Sequence, residues 1–347
     1  MLQLNNKTPF KGSLALFANP EGVDCAYGIV KTTHRIEDDG TTSISKNQLP
    51  LALADVYWEE PAKSSLKQAG EIGLVKPSTD ILLIGHAYSP NGEATCSEVR
   101  LTVGKLTKIV RVFGDRIWVG GLFGMKISTP KPFRKIPLRY EYAFGGTDPQ
   151  PEDKNKIELE SRNPVGRGLL VKQSKASWEG VALPNLEDPQ HLITRPKDRP
   201  APACFAPTCP HWAPRKSYAG TYDEVWTKKR APYLPKDFDP RFLQVAPPDL
   251  VPPTYLQGGE SVEIVGAAPV RPLRFKLPSQ VVTMAFHFDG QVCTPQLNLD
   301  TVMFEPDEKR FSMIWRACLV VDKKVHRLRE LELRCPELRI AKEEGGV

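Results

Sequence analysis

The distribution of proline limits what this chain can fold into more than any other feature. Of 33 prolines in 347 residues, 15 fall between residues 184 and 253. Proline lacks a backbone donor and collides with the preceding helical turn, which argues against a helix-rich fold. It argues equally against a central strand through 184–253. The same stretch carries Phe205, Trp212, Tyr218, Tyr222, Trp226, Tyr233, Phe238 and Phe242. Disordered linkers are poor in aromatic residues, so the stretch reads as an ordered, irregular segment wrapped over a β core. One helix is expected inside it. Thr221-Tyr222-Asp223-Glu224 fits the capping box, and Pro232 sets the helix end.

The flanks follow a β grammar. Residues 1–45 read as short strands and turns, and Pro50 to Trp58 as a short helix. Asp80 to Gly85 reads as a buried strand. Val99, Leu101 and Val103 alternate with Arg100 and Thr102, the period of a half-buried strand. A meander is expected there, with turns at Gly104-Lys105 and, as a type II′ hairpin, at Gly114-Asp115. A further strand is expected from Ile136 to Phe144. In the last third, Val262 to Val265, the alternation at Leu273, Phe275 and Leu277, and that at Val282, Met284, Phe286 and Phe288 predict strands. Leu299–Phe304 and Phe311–Leu319 form a hairpin around Glu305 to Glu308. Leu328 to Leu333, in a densely charged tail, is read as an edge strand or a helix. The expected class is mainly β: antiparallel, sandwich-like sheets, a long proline-rich irregular segment and a few short helices. The expected organisation is an N-terminal lobe (1–183), the wrap (184–253) and a C-terminal lobe (254–347), or one domain over about 10–320.

The net charge is +6 and is spread along the chain; a nucleic-acid binder concentrates its excess in a stripe. No run approaches the ~20 apolar residues that span a bilayer. Seven scattered cysteines fit a reducing compartment better than a disulfide framework. With no signal-peptide layout at Met1–Phe17, a cytoplasmic protein is expected, without nucleic-acid or membrane partners.

Motifs for chemistry are sparse. There is no nucleophile elbow, Walker loop or His-Glu-x-x-His. Gly166-Arg167-Gly168 lacks the third glycine of a dinucleotide fingerprint and reads as a turn. Cys204, Cys209 and His211 are the best metal candidates by residue type, but structural zinc needs a fourth ligand; no metal or cofactor is expected. Tyr140, Tyr142 and Phe144 share one face if their segment is a strand, either as packing or as a stripe for a partner strand.

The motifs taken in order carry a resemblance. Leu51-Ala52-Leu53-Ala54-Asp55 with Tyr57-Trp58 comes first, then Gly85-His86-Ala87 and Phe113-Gly114-Asp115-Arg116. Tyr142-Ala143-Phe144-Gly145-Gly146-Thr147 and Asn163-Pro164-Val165-Gly166-Arg167-Gly168 follow. Next are Tyr218 to Glu224 with Trp226, and Phe238-Asp239-Pro240-Arg241-Phe242. Gly258-Gly259-Glu260, Glu305-Pro306-Asp307 and Trp315-Arg316 close the series. This set resembles a bacterial family first catalogued as a domain of unknown function and often found with type VI secretion systems. The resemblance implies an effector adaptor or chaperone, not an enzyme. Its expected partners are a toxic effector, bound in the cytoplasm, and the spike protein at the tip of the secretion tube. It supplies no catalytic residues. Tyr140, Tyr142, Phe144, Asn163, Arg167, Tyr222, Asp223, Trp226, Phe238, Asp239, Arg241, Phe242, Trp315 and Arg316 are the candidate motif or partner-binding residues, and segment 184–253 the first candidate for a partner-specific surface. The alternative is a hydrolase or carbohydrate-active enzyme whose carboxylates, among Asp223, Glu224, Asp237 and Asp239, meet in one pocket.

Overall fold

The hairpin expected near the C-terminal end forms the centre of the molecule. The computed structural model describes residues 2–122, 124–153, 157–172, 177–279 and 282–335. Asn298–Glu305 and Arg310–Val320 pair antiparallel around the turn Pro306–Glu308. Arg310–Val320 also pairs along its whole length with Asp24–Ile36. Lys11–Ala18 adds the strand on one side, and Asp80–Leu83 adds a parallel strand on the other. Asp24–Ile36 spans 13 residues and is buried almost throughout. The sequence reading expected only short strands here: a strand covered on both faces loses the alternation that betrays a half-exposed one.

Two further sheets pack around this one. Leu186–Glu187, Leu106–Phe113, Cys96–Val103, Ser261–Val265 and Leu273–Lys276 form a five-stranded sheet in that order. Its Phe275 ring lies 5.1 Å from Phe311 and 5.9 Å from Phe304 of the central sheet. A four-stranded sheet joins both ends of the described chain: Gln3–Asn6, Leu328–Arg334, Thr283–Phe288 and Gln291–Cys293. Its Met284, Phe286 and Leu331 close against Gly28 of the central sheet. All three sheets therefore draw strands from both sides of segment 184–253. The protein is mainly β, with mostly antiparallel sheets, as its alternating residues imply.

Several local expectations fail, each for a tertiary reason. Pro50–Trp58 is not a helix. Its backbone is engaged by distant groups: Ala52 N–H donates to Glu71 Oε2 (2.8 Å), and Val56–Tyr57 pairs with Leu66–Gln68. Gly114-Asp115 is not a hairpin turn. The next strand, Trp118–Gly121, pairs instead with Gly124–Ile127 in a separate ribbon. Glycine is needed at 114 because a Cβ there would sit 1.7 Å from the Lys131 carbonyl oxygen. Ile136–Phe144 is not one strand but Lys135–Pro137, a 3₁₀ turn at Tyr140–Tyr142 and a short strand at Phe144–Gly145. Leu328–Arg334 is a strand, but an inner one, between Gln3–Asn6 and Thr283–Phe288. The charged tail beyond residue 335 lies outside the described residues.

Candidate functional site

The strand period separates Trp315 from Arg316. Phe311, Met313, Trp315 and Ala317 point to one face of the central sheet, and Ser312, Ile314 and Arg316 to the other. Trp315 joins the apolar core. Arg316 enters a buried ionic network: its Nε donates to Asp300 (2.6 Å) and its terminal nitrogens to the Gly73 and Glu71 carbonyls. Lys76 lies 2.7 Å from Asp80 and 3.2 Å from Asp300. Lys31 pairs with Glu71 at 2.6 Å. Three cations thus meet three carboxylates beneath one sheet face. Asp80 spends its remaining valence on the Val245 and Ala246 amides, which ties the proline-rich segment to the centre. Arg316 and Lys76 hold the Asp300 carboxyl down to about 2 against its burial. This is architecture, and its members outside Arg316 were not among the sequence candidates.

Tyr140, Tyr142, Phe144, Asn163 and Arg167 are brought together in one knot. The Asn163 amide donates to the carbonyls of Tyr140 (2.8 Å) and Phe144 (3.0 Å). Arg167 donates to the Glu141 carbonyl and lies 4.4 Å from the Tyr142 ring centre. A side chain at Gly145, whose φ is +153°, would meet the Asn163 carbonyl oxygen at 2.1 Å. The glycine-rich motifs near 145 and 166 are therefore two halves of one crossing, where Phe144–Gly145 runs parallel to Arg167–Gly168. Tyr140 and Phe144 are buried and Tyr142 half-buried, so the three do not form a surface stripe.

The other candidates decorate the proline-rich segment. The helix exists as Glu224–Lys229, but its cap is Asp223, which accepts the Trp226 amide at 2.7 Å. Thr221, the expected cap, donates instead to Asp237. Tyr222 is exposed and packs edge-on against Trp226. Asp239 caps the turn Pro240–Leu243 and pairs with Arg241, while Phe238 packs on Phe242. The four carboxylates of the enzymatic alternative are each tied to a separate partner: Asp223 to its helix, Glu224 to Lys228, Asp237 to Thr221 and Asp239 to Arg241. Hydrogen bonds from Thr221 and Arg241 hold Asp237 and Asp239 below the usual carboxylate range.

Cys204 and Cys209 are buried, and burial pushes both thiols up to about 12, whereas His211 is exposed. Both cysteines pack in the apolar core. Among the described residues, the group with metal-like spacing is His287, Glu330 and Glu332, whose ligand atoms lie within 4.8 Å. Lys7 and Arg334 already neutralise Glu332, and Asn5 donates to Glu330.

The largest of the clefts described, 540 Å³, lies where the proline-rich segment meets the five-stranded sheet. Pro189, Pro202, Pro214, Pro247 and Pro248 wall it, and Tyr140 and Ala203 are at its base. Tyr140 stands edge-on to Trp212 at 5.2 Å. Burial raises its phenol well above the ordinary value, so it stays neutral. Lys108 donates to Asp249 at 2.8 Å, and Arg162 grips Glu160 through two nitrogens. The charges at this cleft are thus internally paired, and its prolines share the surface with Thr107, Ile109, Gln190 and Ala201. Lys108 and Asp249 were missed in the sequence because they lie 141 residues apart.

A profile of uncharacterized proteins conserved in bacteria, DUF2169, matches residues 21–316. The chain belongs to the DUF2169 family. For this DUF2169 protein, no curated protein and no solved structure gives a match. Among its described residues, no helix is long and apolar enough to cross a membrane.

Proposed function

We propose that this protein is a type VI secretion adaptor or chaperone. In this reading it binds a cognate toxic effector in the bacterial cytoplasm and helps load it onto the spike protein. The order of the sequence motifs motivates the reading. The observation that carries it is the 540 Å³ cleft walled by five prolines of an ordered loop segment. Proline rings present a stiff apolar surface that loses little entropy on binding. The internally paired charges at the rim leave room for a reversible, mixed contact with an extended client segment.

The test is affinity capture of the tagged protein from its native cells, followed by mass spectrometry. Recovery of one effector together with a spike protein is expected. Thr107, exposed at the cleft rim, offers a control. Thr107→Arg is expected to leave the melting temperature unchanged and to reduce effector recovery by about tenfold, as for a hot-spot contact. Capture without a stoichiometric partner, in cells that express the secretion system, defeats the adaptor reading. Undiminished capture by Thr107→Arg moves the client to another surface.

A further inference from the structure

A second cleft, of 350 Å³, is built from segments that are far apart in the chain. Trp58 and Lys67 come from the two sides of the ribbon that pairs Val56–Tyr57 with Leu66–Gln68. Arg139 precedes the turn Tyr140–Tyr142. His86 and Asp307 come from the strand His86–Tyr88 and from the central hairpin turn. Most of the acids here are already engaged. Glu305 receives two hydrogen bonds from Arg310, at 2.9 and 2.8 Å. Asp307 receives the Tyr88 hydroxyl at 2.8 Å and faces His86 Nδ1 at 2.7 Å. Glu308 is exposed at the rim, where its charge acts on Arg310.

Two of the cations have no acidic partner among the described residues. Lys67 Nζ lies 5.0 Å from the Trp58 ring centre, and Arg139 Cζ lies 5.0 Å from the same ring and 5.6 Å from that of Tyr142. Aromatic rings satisfy the flat faces of a guanidinium and leave its N–H edge free. Arg139 Nε and Trp58 Nε1 are both buried without a hydrogen-bond partner among the described residues. A buried donor left unpaired destabilises the fold, so two in one cleft call for an acceptor. Planar N–H donors beside a mobile ammonium match the lone pairs of an oxyanion.

We propose that this cleft is an oxyanion-binding site, taking a carboxylate or a phosphate group through the edge of Arg139, the Trp58 indole N–H and the Lys67 ammonium. The site is distinct from the proline-walled cleft and does not depend on the adaptor reading. The full chain would be titrated at constant ionic strength, by calorimetry and tryptophan fluorescence. The probes are inorganic phosphate and, separately, a capped diglutamate peptide. Saturable one-to-one binding of at least one probe is expected, with the fluorescence response missing in Trp58→Phe. Arg139→Gln and Lys67→Met are each expected to weaken binding by about tenfold, the loss of one charge-assisted contact. Lys67 is exposed, so its replacement reports on binding even if the Arg139 variant folds poorly. Binding of phosphate alone assigns a phosphate ligand; binding of the peptide alone assigns a protein carboxylate. Failure of both probes to saturate, or binding indifferent to Lys67→Met, overturns the proposal.

Discussion

The ionic network under the central sheet and the proline-rich segment use the same residue types to opposite ends. Arg316 and Asp300 are paired with side chains only 2% exposed, and the adjoining Lys31, Glu71, Lys76 and Asp80 are themselves hydrogen-bonded. Arg241 and Asp239 form a similar pair at the surface, 60% and 30% exposed. In the first case water is gone, and the partners must replace it; in the second, water competes for both ions. Arginine–aspartate chemistry therefore locks global structure in one region and only trims a turn in the other.

The largest effect expected from this contrast is that of Arg316→Met. It leaves buried Asp300 with Lys76 as its remaining cation, beside the Thr301 hydroxyl, and orphans two carbonyls. Removal of one partner from a buried pair costs about 3–5 kcal/mol. Urea unfolding of the variant is the measurement. A loss under about 1 kcal/mol, the range of surface pairs, breaks the comparison, because the network then behaves as though solvated.

A second expectation extends the contrast to pH. His34 is buried on the central sheet, stacked 5.1 Å from Phe311, with Nε2 3.0 Å from the Thr32 hydroxyl. Burial lowers it from 6.5 to about 4. Above pH 6.5 the imidazole is neutral in both folded and unfolded chains. Between pH 6.5 and pH 4 the unfolded chain takes up the proton and the folded chain refuses it, so stability falls as pH falls. A depression of this size is worth about 3 kcal/mol, most of it lost before carboxylates titrate. Chemical denaturation from pH 7 to pH 5 should show the decline, and His34→Gln should flatten it. An equal slope in that variant would place the pH sensitivity outside the sheet centre.

How much of this was legible in the sequence follows the same divide. Alternation at Val99–Val103 and Leu273–Leu277 exposed the β class, because each of these strands buries one face and its period survives. Asp24–Ile36 buries both faces and carries Lys31 inside it, so its length was hidden. Beyond Arg316 the network was hidden, because Lys31, Glu71, Lys76 and Asp300 look like surface charges until the register of the sheet places them together. The Tyr140–Phe144 segment was misjudged since its bend is imposed by Asn163, about twenty residues away. Of the clefts, only the position of the proline-rich wall was foreseeable; Lys108, Arg139 and Trp58 acquire their roles from contacts between distant segments.

The smallest expected effect tests whether the proline-rich segment is mechanically separate from the sheets. Asp223 caps Glu224–Lys229, a helix with no buried residue, so its stability rests on the cap and on local contacts such as Trp226 Nε1 to the Tyr233 carbonyl. Loss of an N-cap aspartate costs a helix about 1 kcal/mol. In a segment that opens on its own, that cost stays local. Asp223→Ala should therefore speed amide exchange at residues 224–229 severalfold while leaving the urea midpoint of the whole chain unchanged. The segment is nevertheless tethered, because Asp80 accepts the amides of Val245 and Ala246 at its far end. If the midpoint falls along with local protection, the tether transmits the loss, and the helix unfolds only when the buried network does. The wall of the large cleft would then be as rigid as the sheet beneath it, and a client would meet a preformed surface.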